Sequence, residues 1–176
     1  MKQPQIKRLV SASLLLAISF VLPYLTGQIP EVGKALLPMH LPILIAGYLC
    51  SWRYGAIIGF IAPLLRSIFL GMPPLVPIAL CMAFEMAAYG ALAGLLYQKI
   101  PSKGLARIYL SLIGAMIGGR IVWGLFSVPI YALFSSSSFT LALFWSAGFA
   151  SALPGILLQL VVVPLVVYKL EKGGYL

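Results

Sequence analysis

Three ionisable side chains of this chain fall where charge is costly. Arg66, Glu85 and Arg120 each sit inside a long apolar run. Insertion scales place an Arg at the centre of a membrane helix about 2.5–3.5 kcal/mol uphill. Such residues face a bundle interior or a wet cavity, and they usually pair. Two Arg and one Glu leave a formal charge of +1, with His40 counted as neutral. A small monoanion would neutralise such a site. A cation would worsen the imbalance and a neutral ligand would leave it. The planar guanidinium fork also suits a carboxylate. The structural alternative is an Arg–Glu pair that joins two helices, with the second Arg snorkelling to headgroups.

Other side chains could complete a pocket. Tyr89, Trp123, Tyr131 and Trp145 offer apolar walls with polar handles. Tyr131 and Trp145 suit an interfacial belt equally well. Trp123 stands one turn from Arg120, which favours it as a pocket wall. His40 has no Cys, Asp or second His to join it, so it reads as a single polar contact and not a metal ligand. Gln159 is also intramembrane, and its amide could meet a ligand or a neighbouring helix. No cofactor is implied, and no nucleophile–base spacing that would support a small membrane enzyme is present.

The elements that carry these residues follow from composition. Of 176 residues, 62% are hydrophobic and 9% charged. Soluble domains have about 45–50% apolar residues and ~25% charged ones. A soluble globule, a disordered chain and a disulfide scaffold are thereby excluded, and a polytopic membrane protein fits. The chain has no Asp and no Asn, and its acids are Glu31, Glu85 and Glu171. Chemistry built on paired aspartates, including intramembrane aspartyl proteolysis, is excluded. The net charge of +9 does not indicate nucleic acid, because the basic residues gather in loops between apolar spans. Cys50 and Cys81 lie in apolar runs and read as small hydrophobes. A GxxxxGK[ST] phosphate loop is absent, and ~176 residues is short for a secondary transporter.

Membrane helices need about 20 residues each. The hydrophobic runs predict six, over Leu9–Leu25, Leu36–Trp52, Tyr54–Leu70, Leu75–Tyr97, Leu105–Phe134 and Thr140–Tyr168. The fifth has a candidate break at Pro129, and a tight turn is expected at Arg53. The basic start MKQPQIKR resembles a signal peptide, but no small-residue cleavage site follows, so the first helix is read as retained. The predicted architecture is an all-α membrane protein, residues 1–176 forming one domain of six transmembrane helices. Lys2, Lys7, Arg8, Arg53, Lys99, Lys103, Arg107, Lys169 and Lys172 then share one side, and only Lys34 falls on the other. By the positive-inside rule both termini are cytoplasmic. At ~1.5 Å per residue, Arg66 comes near the outer leaflet, Glu85 and Arg120 near the middle, and His40 near the outside. Pairs at i, i+4 such as Gly55–Gly59, Gly90–Gly94 and Gly114–Gly118 let helix backbones approach.

The stretch 36–90 resembles the substrate-binding S components of energy-coupling factor (ECF) vitamin transporters. The pieces that carry the resemblance are PMHLP, the Gly-rich third helix ending PLLRSIFLGMPP, and MAFE followed by YG. The resemblance implies a six-helix bundle with no nucleotide-binding activity of its own. It implies a small vitamin bound near the extracellular side, under the loop between helices one and two. It also implies partners: a transmembrane coupling subunit and two cytoplasmic ATPase subunits, in a bacterial plasma membrane. Many members dock on the coupling subunit through an Ala-xxx-Ala motif on helix one. Here the matching spacing is Ser13 to Ala17, with Ser replacing the first Ala. Among subgroups the chain looks most like the pantothenate type, and pantothenate carries one carboxylate, in accord with the charge count. Carriers of hydroxymethylpyrimidine, folate and niacin stay open, as does a small membrane scaffold or channel. The expected binding residues are Arg66, Glu85, Arg120, His40, Tyr89, Trp123 and Trp145. Arg66, being further out, is expected to meet the carboxylate while Glu85 holds the other Arg.

Overall fold

The computed structural model describes residues 5–23, 35–135 and 138–176. Among them the regular structure is entirely helical. The helices are α1 (Gln5–Val21), α2 (His40–Cys50), α3 (Trp52–Leu70), α4 (Leu80–Lys99), α5 (Leu105–Phe134), α6 (Leu141–Trp145) and α7 (Leu153–Lys172). A wide π-type turn, Leu75–Ala79, leads into α4, and a second, Ser146–Ala150, follows α6. Among the described residues four spans are long and apolar enough to cross a bilayer: Trp52–Leu70, Leu75–Lys99, Leu105–Phe134 and Leu153–Lys172.

The helix ends depart from the sequence reading at several places. α1 starts at Gln5 and not Leu9, and α4 starts at Leu80, after the wide turn, and not at Leu75. The predicted helix Leu36–Trp52 is shortened to His40–Cys50. Leu37 and Ser51 take positive φ values of 49° and 109°, which a helix cannot continue through. The turn into α3 therefore falls at Ser51, not Arg53. The predicted sixth helix, Thr140–Tyr168, is not continuous. It divides into α6, the wide turn and α7. Pro154 sits in the first turn of α7, where its missing N–H is no loss and its fixed φ starts a helix. Elsewhere Pro is absorbed: α5 runs unbroken through Pro129 and α3 through Pro63.

Close glycine contacts bind α2, α3 and α4 together. A Cβ added at Gly55 would fall 2.6 Å from the Gly90 carbonyl oxygen, and one at Gly59 would fall 2.7 Å from the Ala87 nitrogen. Only hydrogen fits between these backbones, which is the use of the small-xxx-small pairs noted above. The contacts also set an antiparallel register for α3 against α4.

One buried cluster joins α1 to α2, α3 and α4 through Leu15, Ile43, Ile58 and Met86. The core that bears on the site lies between α2, α4, α5 and α7, and each contributes a buried stripe that advances one turn at a time. Leu44 and Tyr48 supply it from α2, and Tyr89, Ala93 and Tyr97 from α4. Ile108, Leu112 and Met116 supply it from α5, and Val163 and Val167 from α7. At one end, Tyr48 Oη lies 3.0 Å from Ser111 Oγ, and the Arg107 guanidinium stands over the Tyr97 ring. The other end of the same core is where the candidate site lies.

Candidate functional site

Three of those stripes end in a polar residue, one turn beyond the apolar core. On α2 it is His40, at the helix start. On α4 it is Glu85, and on α5 it is Arg120. All three are buried, Glu85 to 2% exposure. Arg120 Nη1 donates to Glu85 Oε1 at 2.6 Å, a charge-assisted bond within the short range. His40 Nε2 stands 3.8 Å from the same oxygen, beyond hydrogen-bond length. Its ring meets Tyr89 edge-on, with centroids 5.1 Å apart. Tyr89 in turn packs flat against Gly119, where a Cβ would strike its ring.

This cluster is incompletely satisfied. Arg120 Nε and Nη2 and both nitrogens of His40 have no hydrogen-bond partner among the described residues. Buried polar groups are nearly always bonded, and a buried ion pair alone adds little stability because desolvation offsets the attraction. The arrangement is therefore poorly explained as a structural brace. It can offer guanidinium and imidazole donors, and a carboxylate acceptor, to one small polar molecule.

Trp123 links this cluster to α6. The Arg120 guanidinium lies 5.8 Å from the Trp123 ring centre, within cation–π range. Trp123 stacks on Phe144 and meets Phe139 edge-on. The wide turn Ser146–Ala150 closes over both residues: a Cβ at Gly148 would fall 3.1 Å from Trp123 Cζ3 and 4.0 Å from Arg120 Cδ. Turns of this kind are frequent at functional sites.

The remaining expected residues stand apart. Arg66 is buried on α3, and its Nε donates to the Met72 carbonyl at 3.1 Å. From the α3–α4 register it lies about six residues, or ~9 Å, further along the helix axis than Glu85. Among the described residues Glu85 is ion-paired with Arg120, and His40 stands beside it. Trp145 is not brought to the cluster. It is 57% exposed and packs on Phe149 and Phe144. Tyr131 packs against Phe139. Ser13 and Ala17 lie exposed on α1, alongside exposed Leu9, Val10, Leu14 and Val21. The loop expected to cover the ligand, between the first two helices, falls largely outside the described residues, as do Lys2, Glu31 and Lys34. The wide turn over Trp123 interrupts a stretch that reads as one helix, and its signals in sequence are Gly148, Ser151 and Pro154.

A family model for the substrate-specific component of ECF transporters matches residues 7–167. The chain belongs to that family. Searches of curated proteins and of solved structures return no match. Members are transporter subunits and not themselves enzymes, and ATP hydrolysis lies on separate partner subunits. With four spans of crossing length, this is a multi-pass membrane protein.

Proposed function

We propose that this chain captures a small anionic vitamin, pantothenate being favoured, and delivers it with a transmembrane coupling subunit and two cytoplasmic ATPases in a bacterial plasma membrane. The observation that carries the binding reading is the buried Glu85–Arg120 pair, whose guanidinium nitrogens Nε and Nη2 have no partner among the described residues. In a chain of this family such a cluster is best read as the polar floor of a ligand site. Arg66, buried on α3, adds a second guanidinium station ~9 Å further along the helix axis. A molecule with a carboxylate at one end and amide or hydroxyl groups at the other suits both stations. Tyr89 and Trp123 form walls, and His40 offers a further polar contact. Trp145 belongs to the rim.

Six crossings, by α1 to α5 and α7, put both termini in the cytoplasm, with α6 and its wide turn as an outer cap. The Ser13–Ala17 face docks on the coupling subunit. Hydroxymethylpyrimidine, folate and nicotinate are the alternative ligands. Titration calorimetry of the detergent-purified protein tests the reading. Pantothenate is expected to bind tightly and the other three weakly. Tight binding of a different one reassigns the vitamin, and binding of none removes the function. Copurification of the coupling and ATPase subunits on a tagged chain is the companion expectation.

A further inference from the structure

The fourth core stripe also ends in a polar residue. On α7, Gly155, Gln159, Val163 and Val167 follow one another at single-turn spacing, all buried. Val163 and Val167 pack in the same cluster as the apolar stripes below His40, Glu85 and Arg120. Gly155 fixes the depth, since a Cβ there would fall 2.7 Å from the Leu36 carbonyl carbon. From that contact Gln159 leads on to Val163 and His40 to Leu44, which share one apolar cluster. The two residues thus come to the same end of the core.

Gln159 is 0% exposed, and neither its amide oxygen nor its amide nitrogen has a hydrogen-bond partner among the described residues. An amide buried in that state is strongly disfavoured. His40 and Arg120 share the condition at the same level, each from a different helix. Three groups with unused capacity at one end of one core make a single site a better account than three separate defects.

We infer that Gln159 is a ligand-contacting residue, its amide pairing with a carbonyl and an adjacent N–H or O–H of the bound molecule. This rests on the binding function above and names the chemistry of the ligand's uncharged end. A primary amide presents one acceptor beside one donor. Its complement is an amide or hydroxy-amide.

The experiment compares wild type with Gln159→Leu and Gln159→Met, both close in volume and apolar. Each purified protein is titrated with pantothenate, hydroxymethylpyrimidine, folate and nicotinate, and its ligand-free Tm is measured. The expected result is a tenfold or greater loss of affinity for the vitamin that wild type binds, with a ligand-free Tm equal to or above wild type. Replacing an unpartnered buried amide by a methylene or thioether does not weaken the empty fold. If Gln159→Leu does not fold, Gln159→Met decides. Affinity within twofold of wild type overturns the role of Gln159 while leaving the binding function intact. A Tm lowered together with unchanged affinity marks it as structural. Wild type binding none of the four removes the function and this role together.

Discussion

At the residue scale, the Glu85–Arg120 pair sets two requirements against each other. Each charge makes the other tolerable inside the bundle, yet a pair of this kind is often replaceable by apolar residues without loss of stability. Arg120→Met alone is expected to cost about 3–5 kcal/mol, seen as a large fall in Tm. The double change Glu85→Leu with Arg120→Met is expected to recover most of that Tm and to bind no pantothenate. A double variant that still binds would make the pair purely structural. Arg66 needs a different test, because it also holds the turn at Met72. Removing one member of a buried charge pair costs about 2–5 kcal/mol, or roughly thirty-fold to several-thousand-fold in affinity. Arg66→Ala is expected to weaken pantothenate binding on that scale, and Arg66→Lys to restore it in part, since the planar fork is lost. Pantothenamide, with an amide in place of the carboxylate, is expected to bind wild type poorly and to lose little more in Arg66→Ala. Equal losses for acid and amide would show that Arg66 acts through the turn alone.

At the scale of elements, two helix surfaces differ in what they exclude. The α3–α4 seam has no room for a side chain at Gly55 or Gly90. Gly90→Ala drives a methyl group into the α3 backbone and is expected to destabilise by about 1–3 kcal/mol or more, read as a Tm loss of several degrees. An unchanged Tm would mean that the seam can part without cost. The face of α1 around Ser13 and Ala17 is open and apolar among the described residues. Ala17→Trp is expected to abolish uptake in cells while the purified protein binds pantothenate as wild type does. Loss of binding by the solitary variant would place this face in the fold itself.

At the scale of the molecule, topology and legibility meet. A tag after Leu176 is expected to be protected in intact cells and accessible only after permeabilisation. Labelling from outside would overturn the arrangement of six crossings. The membrane class, the positions of α3, α4 and α5, and the three buried charges could all be read along the chain. Hydropathy is a local quantity, and one Arg in an apolar run stands out wherever the run is placed. The break in the last hydrophobic stretch was hidden, because Gly148, Ser151 and Pro154 interrupt an otherwise continuous apolar signal that membrane helices often tolerate. Composition showed one positive charge in excess, and depth along the spans favoured Arg120 over Arg66 as the partner of Glu85, but only packing makes the choice. That choice depends on the register of α4 against α5 and on the glycine seam that sets the level of Arg66 against α4. Such contacts join residues far apart in sequence and leave no trace in periodicity. The same holds for the shared level of His40, Glu85, Arg120 and Gln159. Each ends the buried stripe of its own helix, and only packing brings the four to one end of one core.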